Sequence, residues 1–379
     1  MKKIAYLDNS ATTMPCNTAV QNINFALSDT WCNPSSLYDL GFKAQMLIDD
    51  TRKSVSHLLH CREDEIYFTG SGTESNNTAI LGAALSRKKR GKRIITTSIE
   101  HPSVLETVKR LENDGFEVVY LKPQANGVIS AEDVRSAVTP DTILVSIMLV
   151  NNEVGAIQPI KQISQIIKQS GAPALLHCDG VQAFGKMPIN LNDLGVDLFS
   201  ASAHKIHGPK GVGILYVKKG VTIKPLITGG GQERNMRSGT ESVPLIYGLN
   251  GAVCELGNIS ERLKSQKELW LYAKNTLLDT NLVTINSSDD ALPYILNISV
   301  EGYRSETLLH FLEAQDVYVS SGSACAKGEG SYVLGEIGLS QKRVDSALRI
   351  SFSRYNTKDD IDALKSALIS ATQKLRRSN

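Results

Sequence analysis

At 379 residues the chain is long for one core, which points to two domains, and its 41% hydrophobic and 21% charged content excludes disordered and collagen-like classes. Lysine and arginine (41) nearly balance aspartate and glutamate (39), so charge gives no case for nucleic acid as a direct partner. The cysteines at 16, 32, 61, 178, 254 and 325 form neither CxxC pairs nor a dense disulfide framework, which fits free thiols in a reducing cytoplasm.

Lys2 and Lys3 open the chain, but Asp8 interrupts the apolar stretch behind them too soon for a signal peptide. The most apolar run, Ile143 to Val150, falls far short of the ~18 residues of a membrane span, so a soluble, cytoplasmic protein with no membrane partner is expected. Ile4 to Thr13 reads as a short strand running into a polar turn. From Phe42 to His60, Leu47, Ile48, Val55, Leu58 and Leu59 recur at helical spacing and predict an amphipathic helix. An alternation follows: strand Glu65 to Thr69, helix Thr73 to Arg90, strand Arg93 to Ser98, helix Ser103 to Asp114 and strand Glu117 to Leu121. The basic run Arg87 to Arg93 reads as a solvated helix end stopped by Gly91. Ser130-Ala131-Glu132-Asp133 opens a short helix, Thr142 to Val150 predicts a buried strand, Ile160 to Ser170 a helix ended by Gly171, and Ala174 to Cys178 a further strand.

This alternation predicts an α/β fold with a mainly parallel sheet covered on both faces, in which ligands sit beyond the strands' carboxyl ends. Gly72, His101, Asn152, Asp179 and Lys205 all fall at such ends. Beyond Ser202 come a strand from Gly213 to Val217, the loop Gly229-Gly230-Gly231 and one long bridging helix from about Pro244 to Leu278. Strands Ile295 to Val300, Val317 to Ser320 and Leu348 to Phe352 then mix with helices Glu306 to Glu313 and Lys358 to Arg377, the latter capped by Thr357 with Asp360. The expected division is a large domain over 15–249 and a smaller α+β domain of 1–14 plus 250–379.

Three segments answer three parts of one cofactor. Ser202-Ala203-His204-Lys205 sets a lysine just beyond the apolar segment Asp197 to Ala201, where its amine suits a Schiff base with the aldehyde of pyridoxal 5'-phosphate. Asp179-Gly180-Val181-Gln182 ends a strand at a carboxylate suited to the protonated pyridine nitrogen. Gly70-Ser71-Gly72-Thr73-Glu74-Ser75-Asn76-Asn77 turns a strand into a helix whose first N–H groups suit a phosphate; it is not a P-loop, because no GK[ST] follows. His101, before Pro102, is either a structural residue or one that stacks on a ring and exchanges protons. His177 with Asp179, and the HxxH pair His204 and His207, raise a metal site that no HExxH or clustered cysteines support. Cys325 lies in Ser320-Ser321-Gly322-Ser323-Ala324-Cys325-Ala326-Lys327-Gly328-Glu329-Gly330, small residues too polar for a core, with Lys327 placed to favour a thiolate; an incidental surface thiol stays open. The other five cysteines read as small core residues.

These residues carry a resemblance. The chain resembles the cysteine desulfurases of the NifS/IscS type, within the class V aminotransferase family, over nearly its whole length: Tyr6 to Thr13, Asn33-Pro34-Ser35-Ser36, GSGTESNN, Glu100-His101, Asn151-Asn152-Glu153-Val154-Gly155, Asp179 with Gln182, SAHK followed by Gly208-Pro209-Lys210-Gly211, Arg237-Ser238-Gly239-Thr240 and SSGSAC. The resemblance implies a transferase of pyridoxal phosphate fold type I that converts L-cysteine to L-alanine and stores the sulfur as a persulfide on Cys325. It implies that Gly72, Thr73, Ser202 and His204 bind the phosphate, joined by Thr240 from a partner subunit. Asn152 and Gln182 contact the ring-oxygen side, with Asn152 also near substrate, His101 stacks on the ring, Asp179 holds the pyridinium, Lys205 holds the aldehyde carbon and Arg349 takes the substrate carboxylate. Lys205, His101 and Cys325 are the catalytic set. It also implies a homodimer, no metal in the apoenzyme with Cys325 available as a cluster ligand, and a sulfur-acceptor protein such as an iron-sulfur scaffold or a tRNA-thiolation enzyme, with thiamine synthesis a further destination.

Two features depart from the pattern: Tyr38 stands where relatives carry histidine, and the segment after Cys325 is short and lacks their Glu-Pro. A class V transaminase or selenocysteine-type lyase would keep Lys205, Asp179 and Arg349 without a sulfur-bearing Cys325. An adapter that lost the chemistry would lack active-site groups.

Overall fold

A computed structural model describes residues 4–321 and 330–377; Cys325, Gly322, Lys327 and Gly328 lie outside the described residues. In chain order the strands are β1 (Ala5–Tyr6), β2 (Ile66–Thr69), β3 (Arg93–Thr97), β4 (Glu117–Leu121), β5 (Thr142–Ser146), β6 (Leu175–Asp179), β7 (Leu198–Ser202), β8 (Gly213–Val217), β9 (Thr284–Ile285), β10 (Ile295–Ser299), β11 (Val317–Tyr318) and β12 (Ala347–Ser351). A seven-stranded sheet runs β2-β8-β7-β6-β5-β3-β4. Its β5, β6 and β7 are buried at every residue, the state that near-continuous apolar runs require when both faces are covered.

One cover comes from helices Gly72–Arg87 and Pro102–Asn113, whose Ile80, Val104, Val108 and Leu111 pack on Ile94, Leu144 and Leu198. On the other face, helix Ile160–Ser170 buries Ile160, Ile163, Ile166 and Ile167 at helical spacing, and Gly171 closes it in the left-handed conformation. Each such fully buried isoleucine contributes about 1.5–3 kcal/mol.

All pairings in this sheet are parallel except those of β8, which runs against both β7 and β2. Reversal on either side of β8 points β2 the same way as β7, so Thr69 and Ser202 both lie level with Gly213 at one edge. The carboxyl ends of β2, β3, β5, β6 and β7 therefore meet on one side. The β7–β8 link is too short for a crossover helix, which is why the pair is antiparallel.

Several expectations are corrected. The strand predicted over 142–150 ends at Ser146, because the Met148 N–H leaves the ladder for Glu100 Oε1 at 2.9 Å. The long helix predicted from Pro244 to Leu278 is two, Val243–Cys254 and Ile259–Leu278, parted at Gly257 (φ +56°) and restarted by Asn258, whose side chain accepts from the Ser260 and Glu261 N–H groups. Helix Asn17–Ser28 was not expected. Strand β11 stops at Tyr318 rather than Ser320, and the helix after Gly72 at Arg87 rather than Arg90. Of the cysteines read as core, Cys16, Cys32 and Cys178 are buried, but Cys61 is half-buried and Cys254 exposed.

A second cluster gathers Trp270, Leu277, Leu296, Ile298, Ile350, Leu364 and Leu368 around the antiparallel sheet β12-β10-β9. Strand β1 joins it by pairing with β11 and adding Ala5 and Leu7. Thr357 and Asp360 form the capping box expected for helix Lys358–Lys374. Among the described residues no helix is long and apolar enough to cross a membrane.

Candidate active site

The shared carboxyl edge opens into a cavity of about 180 Å³, more than ten times the ~15 Å³ that one water needs. Gly72, Thr73 and Asn76 line it from the helix after β2, His101 and Ser103 from the segment after β3, and Asn152 from the one after β5. Asp179 and Gln182 line it after β6, and Ser202, His204 and Lys205 after β7. The sequence-predicted residues among those described thus converge, apart from Thr240 and Arg349; Cys325 lies outside the described residues.

Asp179 is buried at the end of β6, and the chain can turn directly behind it only because position 180 is glycine: a Cβ there would lie 1.8 Å from Phe199 Cζ. Its Oδ1 accepts from Val181 N at 2.9 Å and its Oδ2 from Asn76 Nδ2 at 2.7 Å. Asn76 also donates to Ser103 Oγ at 2.9 Å, and that hydroxyl lies 2.8 Å from His101 Nδ1. Among the described residues no cation pairs with Asp179. A buried carboxylate with two donors and no cation suits a cationic group entering the cavity.

His101 caps helix Pro102–Asn113, its Nδ1 accepting from Ser103 N at 3.1 Å, which leaves the proton of the neutral ring on Nε2. Burial lowers its pKa, Asp179 opposes the shift and Lys205 adds to it. Behind it, burial pushes Glu100 up to about 8 even though Met148 N and Thr97 Oγ1 donate to Oε1; its Oε2 has no partner.

At the other end Gly72 and Thr73 open a helix capped by Ser71, whose side chain accepts from Glu74 N. Gly72 permits close approach, since a Cβ there would meet Val181 Cγ2 at 2.9 Å and Ser202 Cβ at 3.4 Å. The helix start, the Ser202 hydroxyl and the His204 ring together make a donor-rich, electropositive end suited to a phosphate. Burial, then the charges of Lys205, Lys210 and Lys186, lower His204 to about 4 and keep it neutral.

Lys205 Nζ donates to Ser10 O at 2.5 Å and Ala11 O at 2.7 Å, so the N-terminal segment crosses from the smaller sheet to hold the lysine. Ser10 O also accepts from Gln182 Nε2 at 3.0 Å. Arg349, on β12, pairs with Asp8 Oδ1 at 2.9 Å and donates to Asn152 O at 3.1 Å. Among the described residues its Nε and the Asn152 Oδ1 are both buried without a partner, two polar atoms suited to a small ligand. Next to them burial raises Glu153 to about 7, while its bond from the Ser331 hydroxyl and the Arg349 charge pull the other way.

Thr240 is exposed and does not line this cavity. His207 turns from the site, its Nδ1 at Met14 O and its ring edge-on to Tyr355, so the HxxH pair does not act together. Sequence reasoning missed Asn76, Ser103, Asp8 and Ser10. Asn76 was recoverable, since four residues after Gly72 lies on the same helix face; Asp8 and Ser10 lie in the Tyr6 to Thr13 stretch that carries the resemblance, but no local pattern gave them a role, because only the chain crossing brings them here.

The residues fit pyridoxal phosphate: a cation-seeking carboxylate, a lysine amine and an anion-seeking helix start share one cavity. The aminotransferase class-V family model matches residues 5–364, and the chain belongs to that pyridoxal phosphate-dependent family. Cysteine desulfurase IscS of Methanosarcina thermophila is 42% identical over 379 residues, 99% of this chain and 93% of that protein. A solved NifS-like protein superposes with a TM-score of 0.93 at 37% identity, covering 98% of this chain and 100% of its own. SspA, solved in complex with cysteine, gives a TM-score of 0.83 at 36% identity over 93% of this chain and 99% of its own. The architecture is fold type I of the pyridoxal phosphate-dependent transferases.

Proposed function

We infer that this chain is a cysteine desulfurase, taking L-cysteine to L-alanine and holding the sulfur on Cys325 for transfer. The observation that carries the reading is Asp179 and Lys205 lining one cavity in a chain whose full-length relative is a cysteine desulfurase. The cofactor, when bound, supplies an aldehyde for the substrate amine and an electron-poor ring that takes up charge released at the α-carbon. Asp179 would keep the ring nitrogen protonated, His101 would lie against the ring, and Gly72, Thr73, Ser202 and His204 would take the phosphate. Lys205 would anchor the cofactor, and its amine, when free, would move the substrate α-proton. Arg349 and Asn152 orient the substrate. The Cys325 thiolate forms an S–S bond to the substrate sulfur as the C–S bond breaks, its electron pair stays with the three-carbon fragment, and a proton completes alanine.

Two further elements belong to this reading. The exposed Met14, Phe25, Trp31, Leu37, Tyr38 and Phe42 form a run of large apolar side chains that supports a homodimer, in which Thr240 would serve the neighbour's phosphate seat. The division into 15–249 and 1–14 plus 250–379, a cytoplasmic location and a sulfur acceptor in iron-sulfur assembly or tRNA thiolation complete the proposal. The test is incubation of pyridoxal phosphate-loaded protein with L-cysteine and a thiol reductant. Equal yields of alanine and sulfide are expected; a keto acid in place of alanine would instead mark a transaminase and overturn the reading.

A further inference from the structure

Behind the cavity lies a lysine that the reading above does not use. Lys186 is only 4% exposed, on the turn that also carries Gln182. Among the described residues no carboxylate pairs with it. Its Nζ donates to Gln182 Oε1 at 3.0 Å and lies 5.9 Å from the Tyr294 ring centroid. Burial, with the charges of Lys205 and Arg349, lowers its pKa to about 7. An ammonium buried without a counter-ion is costly to maintain, and replacing it with an apolar side chain would remove that cost. Its position therefore calls for a role.

We propose that Lys186 is a positioning residue of the cofactor seat, fixing the Gln182 amide so that its N–H edge faces the cavity and a ring oxygen of the bound cofactor. In its ammonium form Lys186 can only donate, so the atom of Gln182 that meets it is then the oxygen. Ser10 O, on the other side, can only accept, so it takes one N–H of Gln182 at 3.0 Å. Both neighbours impose the same orientation, and the second N–H of the amide is left for the cavity that Gln182 lines. Without Lys186 a single bond to Ser10 O holds the amide, and that carbonyl is shared with Lys205 Nζ.

This rests on the cofactor seat described above. The test compares wild type, Lys186→Met, Gln182→Ala and the double variant, each freed of cofactor and retitrated with pyridoxal phosphate. The readouts are the cofactor dissociation constant and the position of its visible absorption band, with the thermal midpoint of the cofactor-free protein as the control for folding. Lys186→Met should weaken binding about tenfold, the scale of one hydrogen bond at a charged group, and shift the band. Gln182→Ala should do likewise, and the double variant should be no weaker than either single one. Multiplying losses in the double variant, or a Lys186→Met protein that binds and absorbs like wild type, would overturn the proposal. If Lys186→Met does not fold, Lys186→Leu, which likewise supplies no donor, carries the same test, and an unshifted band there overturns it equally. Wild type that takes up no pyridoxal phosphate would refute the cofactor seat itself; normal uptake with an unmoved lysine variant would refute only the role of Lys186.

Discussion

Replacing Arg349 with alanine separates substrate recognition from structure. Its side chain is 6% exposed; one Nη pairs with Asp8, the other donates to Asn152 O, and Nε is buried without a partner among the described residues. Hydrogen bonds to charged groups contribute about 1.5–3 kcal/mol each, so two N–H groups meeting the substrate carboxylate give about 3–6 kcal/mol. At about 1.4 kcal/mol per decade, Arg349→Ala should lower kcat/KM for L-cysteine by about 10²- to 10⁴-fold. The variant also loses the tie to Asp8, but that carboxylate is 21% exposed and water reaches it in part, so the structural cost falls below the ~3–5 kcal/mol of breaking a fully buried pair. The protein should therefore still fold and bind cofactor. Arg349→Lys, which keeps the charge but not the planar fork, should fall between. Competitive binding of cysteamine, which has no carboxylate, should hardly change. A kcat/KM within about threefold of wild type, or an equal loss for cysteamine, would refute the assignment.

Lys205→Ala should lose the yellow, borohydride-reducible absorbance expected of the loaded protein; an unchanged reducible band would show that another lysine holds the cofactor. Glu100 has its pKa raised from 4.5 to about 8 by burial, so its contribution to stability is full below 4.5 and lost as pH rises through about 8. Glu100→Gln should therefore gain thermal stability relative to wild type at pH 9 and match it near pH 4.5, whereas an equal offset at both pH values would contradict the buried-carboxyl account. Glu233 accepts from Arg52 at 2.9 and 3.0 Å and from Phe68 N at 2.9 Å. Glu233→Ala strands that buried guanidinium and should cost about 3–5 kcal/mol, read from the urea midpoint of the cofactor-free protein; an unshifted midpoint would rule out this anchor.

The alternation of strands and helices, and the placement of Gly72, His101, Asn152, Asp179 and Lys205 at strand ends, were legible because a parallel sheet buried on both faces demands apolar strands closed by polar turns. Helix Asn17–Ser28 was not legible, since NTAVQNINFALS has polar residues scattered through it and buries only Ala19 and Ala26. The premature end of β5 depends on Glu100, distant in sequence, capturing the Met148 N–H. The direction of β8 was readable in hindsight from its short link to β7. Asp8 and Ser10 could not be placed from local pattern, because their roles arise where the N-terminal segment crosses between the two sheets.

The central claim is that sulfur passes from L-cysteine to Cys325. Loaded wild type should be treated with L-cysteine, blocked with an alkylating reagent and digested, with each cysteine-bearing peptide weighed by mass spectrometry beside a Cys325→Ala control. The account predicts one extra sulfur on the peptide bearing Cys325, and a control that retains cofactor but makes almost no alanine. Extra sulfur on the peptides of Cys16, Cys32, Cys61, Cys178 or Cys254 instead, or full alanine production by Cys325→Ala, would contradict it.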